Sequence, residues 1–102
     1  MNKEKLCDHL RHSALGKRMA VKSEVLEQAL NISGNELRKC VNRLRREGVP
    51  VGSSRDGYFY AVTAGEVYAT IRQLRRMEDG LHAAVCGLEQ ALDSFGMDDN
   101  RK

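Results

Sequence analysis

Within the segment SGNELRKCVNRLRREG, Ser33 to Gly48, the chain sets Arg38, Lys39, Arg43, Arg45 and Arg46 alongside two asparagines, Asn35 and Asn42. Guanidinium and ammonium groups donate to guanine O6 and N7 and neutralise phosphates, and a carboxamide pairs in a bidentate manner with adenine N6 and N7. Cations mixed with amides on one short helix therefore suit base edges better than a purely basic face would. The competing expectation is a face that is only solvated. With Leu37, Val41 and Leu44 turned inward, Asn35, Arg38, Lys39, Asn42 and Arg46 fall on the opposite face at three- and four-residue intervals, and Arg43 adds a cation beside them. The start of this helix, at Ser33 and Gly34, offers free amides and positive dipole to a phosphate, as do Lys22 and Ser23 at the start of the helix before it.

Those side chains need a scaffold, and the hydrophobic spacing supplies one. Leu6, Cys7, Leu10 and Ala14 recur at helical steps, which predicts a first helix from Lys3 to about Ala14. After Gly16, KRMAVK is too short for a helix and suits a brief extended segment. SEVLEQAL opens on Ser23 as a capping serine and predicts a second helix with Val25, Leu26, Ala29 and Leu30 inward. Asn31-Ile32-Ser33 makes the turn, Ser33-x-x-Glu36 is a capping box, and the third helix runs from Gly34 until Gly48 and Pro50 end it. VPVGSS and GYFYAV then flank Arg55-Asp56-Gly57, a turn signal between stretches of β propensity. Arg55 belongs at the tip of this hairpin, where a phosphate or a minor groove is within its reach, and alternation sends at least one of Tyr58, Phe59 and Tyr60 into the core.

A second capping box, Thr63-x-x-Glu66, opens a long helix. Along it Val67, Ile71, Leu74, Leu81, Val85, Leu88, Leu92 and Phe95 keep alternating four- and three-residue steps, with Glu78 at the one interrupted position. This is a heptad seam fit for dimerisation through Leu74, Leu81, Val85, Leu88 and Leu92; the other expectation is that it folds back as intrachain core. Asp79-Gly80 is the place where such a helix would break. Charge is polarised along the chain. Residues 1–76 carry 15 Lys and Arg against 8 Asp and Glu, whereas residues 77–102 carry 2 against 6, so the basic character belongs to the front.

The order helix, short extended segment, helix, tight turn, capped helix and hairpin resembles a winged helix-turn-helix. LEQALNISGNELRKCVNRLRREGVPVGSSRDGYFY resembles the winged helix-turn-helix domains of bacterial regulators, including the N-terminal DNA-binding segment of biotin-ligase repressors. The AL-x-IS turn, the LR-x-x-GV-x-V helix exit and the GY-x-x second wing strand carry the likeness over about residues 20–62. It implies an α+β, mainly helical fold of three helices and a β-hairpin wing, extended by a long C-terminal helix that serves as a coiled-coil dimerisation element. Residues 1–62 would be the DNA-binding domain, residues 63–96 the helical extension and residues 97–102 a disordered tail. The function implied is sequence-specific binding of double-stranded DNA by a homodimer, as in a small transcriptional regulator of the phage or plasmid kind. Half-sites would lie about one helical turn, roughly 34 Å, or a multiple apart. The alternative is a winged-helix adaptor that joins proteins in a replication or recombination assembly.

Other function classes find little support. At 102 residues the chain holds one small core, and no P-loop, nucleophile elbow, H-E-x-x-H or dinucleotide fingerprint occurs, so neither an enzyme nor a cofactor is expected. A closed pocket for a small-molecule effector is not expected either. Cys7, Cys40 and Cys86 are odd in number and far apart, which predicts buried free thiols; Cys7, His9 and His12 form an incomplete metal set and read as positions on an amphipathic helix. No segment has the apolar length of a membrane span or the features of a signal peptide, so a cytoplasmic protein is expected.

Overall fold

The computed structural model describes residues 3–95, and the expected tail at 97–102 lies outside them. Among the described residues, four α-helices and one two-stranded antiparallel hairpin make an α+β, mainly helical architecture. The elements are α1 (Lys3–Ser13), a 3-10 turn (Lys17–Met19), α2 (Ser23–Leu30), α3 (Gly34–Arg46), β1 (Val51–Ser54), β2 (Gly57–Tyr60) and α4 (Ala64–Asp93). The chain divides into two compact units between Thr70 and Ile71, within α4.

The amino-terminal unit is built around Leu6 and Leu10 of α1, Leu26 of α2, Leu37, Val41 and Leu44 of α3, and Val51 and Phe59 of the hairpin, all at most 4% exposed. α3 starts as the capping box predicts: Ser33 Oγ accepts the Glu36 N–H at 3.1 Å, one of the donors a helix start otherwise leaves unpaired. α2 starts differently. Its N-cap is Lys22, with no side-chain bond to the helix, and Ser23 is already its first residue. Val25, 53% exposed, and Ala29 also point outward, so Leu26 alone of the four expected residues is buried and Leu30 is half-buried. Two turns can turn only one narrow edge to the core. Asn31 closes α2 in the left-handed conformation, φ +56°, and returns its N–H to Gln28 and Glu27, a role asparagine fills more readily than most non-glycine residues.

The expected extended segment after Gly16 is the 3-10 turn framed by two single-residue bridges to β2. Leu15 pairs parallel and Val21 antiparallel, with Tyr60 N–H to Ala14 O, Gly16 N–H to Tyr60 O, and reciprocal Val21–Tyr58 bonds at 2.8–2.9 Å. β2 is thus held on both edges, by β1 and by this segment. The pairing explains two glycines. A Cβ on Gly57, whose φ is +127°, would stand 2.1 Å from Val21 O, and a Cβ on Gly52 would stand 2.3 Å from the Phe59 ring. Phe59 fills the core and Tyr58 and Tyr60 are half-buried, the alternation expected of this strand.

The first turn of α4 is bound into this unit by Glu66. Its carboxylate accepts the N–H groups of Val62 at 2.8 Å and Lys17 at 3.0 Å, and its own N–H donates to Thr63 Oγ1 at 3.1 Å. Thr70, 5% exposed, accepts the Ser53 N–H through its hydroxyl. From Ile71 the second unit is helical to Asp93. Asp79-Gly80 does not break it, because Met77, Leu81, Ala83 and Ala84 around it are good helix formers and position 80 needs no positive φ. Leu81 and Leu88, 70% exposed, and Val85 and Leu92, 52% and 55%, do not form intrachain core; Leu74 is half-buried. No helix among the described residues is long and apolar enough to cross a membrane.

Candidate nucleic-acid interface

α3 presents the face that its spacing predicts. Leu37, Val41 and Leu44 are 1%, 2% and 4% exposed, with Cys40 buried beside them, while Asn35, Arg38, Lys39, Asn42, Arg43 and Arg46 are exposed. At about 100° per residue, Asn35, Lys39, Asn42 and Arg46 centre on the side away from the core. Arg38 lies toward α2 and Arg43 toward α1. Two amides and two cations therefore occupy the crest, with one more cation on each slope.

Acidic groups shape both slopes. Glu4, Glu36, Lys3, Lys39 and Arg43 line a shallow cleft between α1 and α3, and Lys3 is ion-paired with Glu47. On the other side Glu27 of α2 reaches the start of α3: a Cβ built on Gly34 would meet Glu27 Oε2 at 3.1 Å and Arg38 Nη1 at 3.7 Å. The amides expected to greet a phosphate at Ser33 and Gly34 thus have a carboxylate already beside them, and the Ser33 hydroxyl oxygen is engaged by its own helix. Glu27 was not among the residues the sequence singled out; it sits on α2 seven positions before Gly34, a distance at which spacing along one helix says nothing.

Arg45 separates from the other cations. Its Nε donates to Val51 O at 2.8 Å and its Nη2 to Ser53 Oγ at 3.1 Å, so it fastens the end of α3 to β1. Burial pushes its pKa below the ordinary value, with Tyr58 acting in the opposite direction. The sequence does carry a signal for this: position 45 lies one residue after the buried Leu44 and four after Val41, at the edge of the apolar stripe.

A second group forms where α2 begins. Lys22, Ser23, Ser53, Ser54 and Arg55 share one open cleft with Glu24, Gly57 and Tyr58, and Lys22 Nζ donates to Arg55 O at 3.4 Å. Ser54 Oγ accepts the Asp56 N–H at 3.2 Å, which fixes the turn and leaves Arg55 exposed at its tip. The structure so brings Lys22 and Ser23 together with Arg55, which the sequence places more than thirty residues away. Arg11, by contrast, is spent on the half-buried Tyr60, whose ring centroid lies 5.8 Å from its guanidinium carbon.

His12 Nδ1 lies 2.7 Å from Asp8 O, and no group of three or more His, Cys, Asp or Glu side chains among the described residues is placed to hold a metal ion. Of the three thiols expected to be buried, Cys40 is buried, Cys7 half-buried and Cys86 exposed on α4. Cys86 departs from expectation because the helix face that carries it has no core to enter. Leu81, Val85, Leu88 and Leu92, which the heptad spacing offers for dimerisation, lie along one exposed face of α4. Compared with protein-family models, curated proteins and solved structures, the chain finds no match.

Proposed function

We propose that the amino-terminal unit is a winged helix-turn-helix that binds double-stranded DNA in a sequence-dependent, non-enzymatic way, with α3 in the major groove and the hairpin as its wing. The observation that carries this reading is the division of α3 into a face of Leu37, Val41 and Leu44, nearly devoid of solvent contact, and an exposed crest of Asn35, Lys39, Asn42 and Arg46. An α-helix fits the major groove, and that crest holds donors and an amide code suited to base edges there. The element order, and the pairing of Leu15 and Val21 with β2, support the winged arrangement. Lys22, Ser23 and Arg55 provide a second donor group for backbone phosphates. Occupying an operator would make the protein a small transcriptional regulator.

The test is selection of duplexes from a random pool at low salt, followed by anisotropy titrations on the recovered sequence. Asn42→Ala and Arg38→Ala should each cost about 1–3 kcal/mol on the selected duplex and relax the sequence preference, whereas Arg55→Ala should weaken all duplexes alike and lower the salt slope by about 1. Wild type and variants that all fail to bind at low salt would end the proposal.

A further inference from the structure

We infer that residues 71–95 pair antiparallel with the same segment of a second copy of this chain, in the register that sets Arg75 of each copy against the partner's Glu89. The starting point is an apolar face with no cover in the single chain. Leu81 and Leu88 are 70% exposed, Met77 59%, Leu92 55% and Val85 52% along one side of α4, and Phe95, 67% exposed, follows in the turn after it. Contiguous apolar surface of this kind marks an interface.

The charges on either side of that row choose the occupant and its direction. With Ile71, Glu78, Val85 and Leu92 at heptad position a, and Leu74, Leu81, Leu88 and Phe95 at d, position e holds Arg75, His82 and Glu89, and position g holds Met77, Ala84 and Ala91. In a parallel pair e faces the partner's g. Glu89 would then meet only the partner's Ala84 and Arg75 only the partner's Thr70, neither of them charged, and Glu78 would face the partner's Glu78 across the core, a like-charge contact. In an antiparallel pair e faces e, g faces g and a faces d. Arg75 then meets the partner's Glu89 twice over, Ala84 meets itself on the small flank near the two-fold axis, and Glu78 faces the partner's Leu88. Within the helix the apolar layers of this register set Leu74 against the partner's Leu92 and Leu81 against Val85, and Ile71 stands level with Phe95 in the turn that follows the partner's helix. Sliding by one heptad loses the outer layers and sets Arg75 against the partner's His82, or Glu89 against it.

The segment's overall charge favours the same direction. Arg72, Arg75 and Arg76 crowd its first turns and Glu89 and Asp93 its last, so reversal of one copy brings unlike ends together. Within a single chain Arg75 and Glu89 stand two heptads apart, roughly 21 Å along the helix, and do not reach each other. Their complementarity is expressed only across a pair. This inference does not depend on the proposal for DNA binding.

Sedimentation equilibrium of the full chain without DNA tests it. The wild type should dimerise. Arg75→Glu and Glu89→Arg should each raise the dimer dissociation constant about tenfold, because two attractive pairs become repulsive. The double variant, and an equimolar mixture of the two single variants, should return to within about threefold of wild type, since both restore two Arg–Glu contacts. Far-ultraviolet circular dichroism at matched concentration checks that each variant keeps its fold. A wild type that stays monomeric at hundreds of micromolar overturns the inference. So does a dimer whose dissociation constant ignores both single substitutions, or a mixture no tighter than its components.

Discussion

α3 and the part of α4 from Ile71 onward carry the same kind of sequence signal and meet different fates. Each has an apolar stripe at helical spacing. In α3 that stripe is buried by α1, α2 and the hairpin, and its reverse side is left to cations and amides; beyond Ile71 the stripe itself is exposed. The contrast teaches that periodicity reports amphipathicity and not its partner. What distinguishes the two is the density of covering elements in the chain: the amino-terminal unit folds six short elements around Leu37 and Phe59, and the second unit is one helix.

The largest effect should come from removing a core residue on one side of this comparison and its periodic counterpart on the other. Phe59→Ala empties the space against Gly52 and should cost about 3–5 kcal/mol in urea unfolding of the amino-terminal unit. Leu88→Ala, measured at a concentration where the chain is monomeric, should move the same transition by less than about 0.5 kcal/mol. Equal losses would break the comparison, because they would make Leu88 part of the intrachain core.

Next in size is a contrast between adjacent arginines. Arg45→Ala removes two hydrogen bonds from a charged, half-buried donor to Val51 and Ser53 and should cost about 1.5–3 kcal/mol of stability. Arg46→Ala, one position on and fully on the crest, should leave stability within about 0.5 kcal/mol and lower affinity for duplex DNA instead. Urea titrations and anisotropy on the same two proteins check both halves. If Arg45→Ala weakens DNA binding without loss of stability, the assignment of Arg45 to the scaffold is wrong.

These pairs also indicate where the sequence was legible. The inward set of α3, its Ser33 cap and the turning of at least one of Tyr58, Phe59 and Tyr60 into the core followed from local spacing, because each is decided by residues three or four positions away or on alternate sides of a strand. Glu27 acts on groups held by another element, and no period announces it; Arg45 is marked only by its place at the edge of the apolar stripe, and the Thr63 capping box points to Glu66 without foretelling its bond to the distant Lys17. Ser23 misled because a serine before an apolar run has the look of a cap; Lys22 takes the cap position instead, and Ser23 lines the cleft shared with Arg55. Of the candidate site, the crest of α3 was readable, and the clustering of Lys22 and Ser23 with Arg55 depended on the hairpin folding back beside α2.

The helix beyond Ile71 offers a smaller effect of opposite sign. Gly80 and Gly87 are interior to α4, and a Cβ at either position would meet nothing within 4 Å. Alanine at each should therefore stabilise the helix by about 1 kcal/mol, visible as increased ellipticity of the monomer. Gly52→Ala and Gly57→Ala should do the reverse, because a new methyl there collides with Phe59 or Val21. A destabilised Gly80→Ala chain would mean that some partner surface approaches the helix at that position.

Glu66 supplies the smallest effect, and its sign distinguishes a clasp in the amino-terminal unit from an ordinary exposed carboxylate. The Val62 N–H, and after it that of Lys17, hold the Glu66 pKa below its ordinary value of 4.5. A native-state pKa lowered in this way means that the unfolded chain binds the proton more readily. The carboxylate therefore stabilises the fold above about 4.5, and that contribution is lost as pH falls toward and through the lowered native value. Glu66→Gln retains a carbonyl acceptor but no charge, so it should be slightly less stable than wild type at neutral pH, and the difference should close as wild type becomes protonated. Thermal unfolding of both proteins from pH 7 to pH 3 measures the gap. A gap that stays constant across the acid range would show that the hydrogen bonds of Glu66 act without help from its charge.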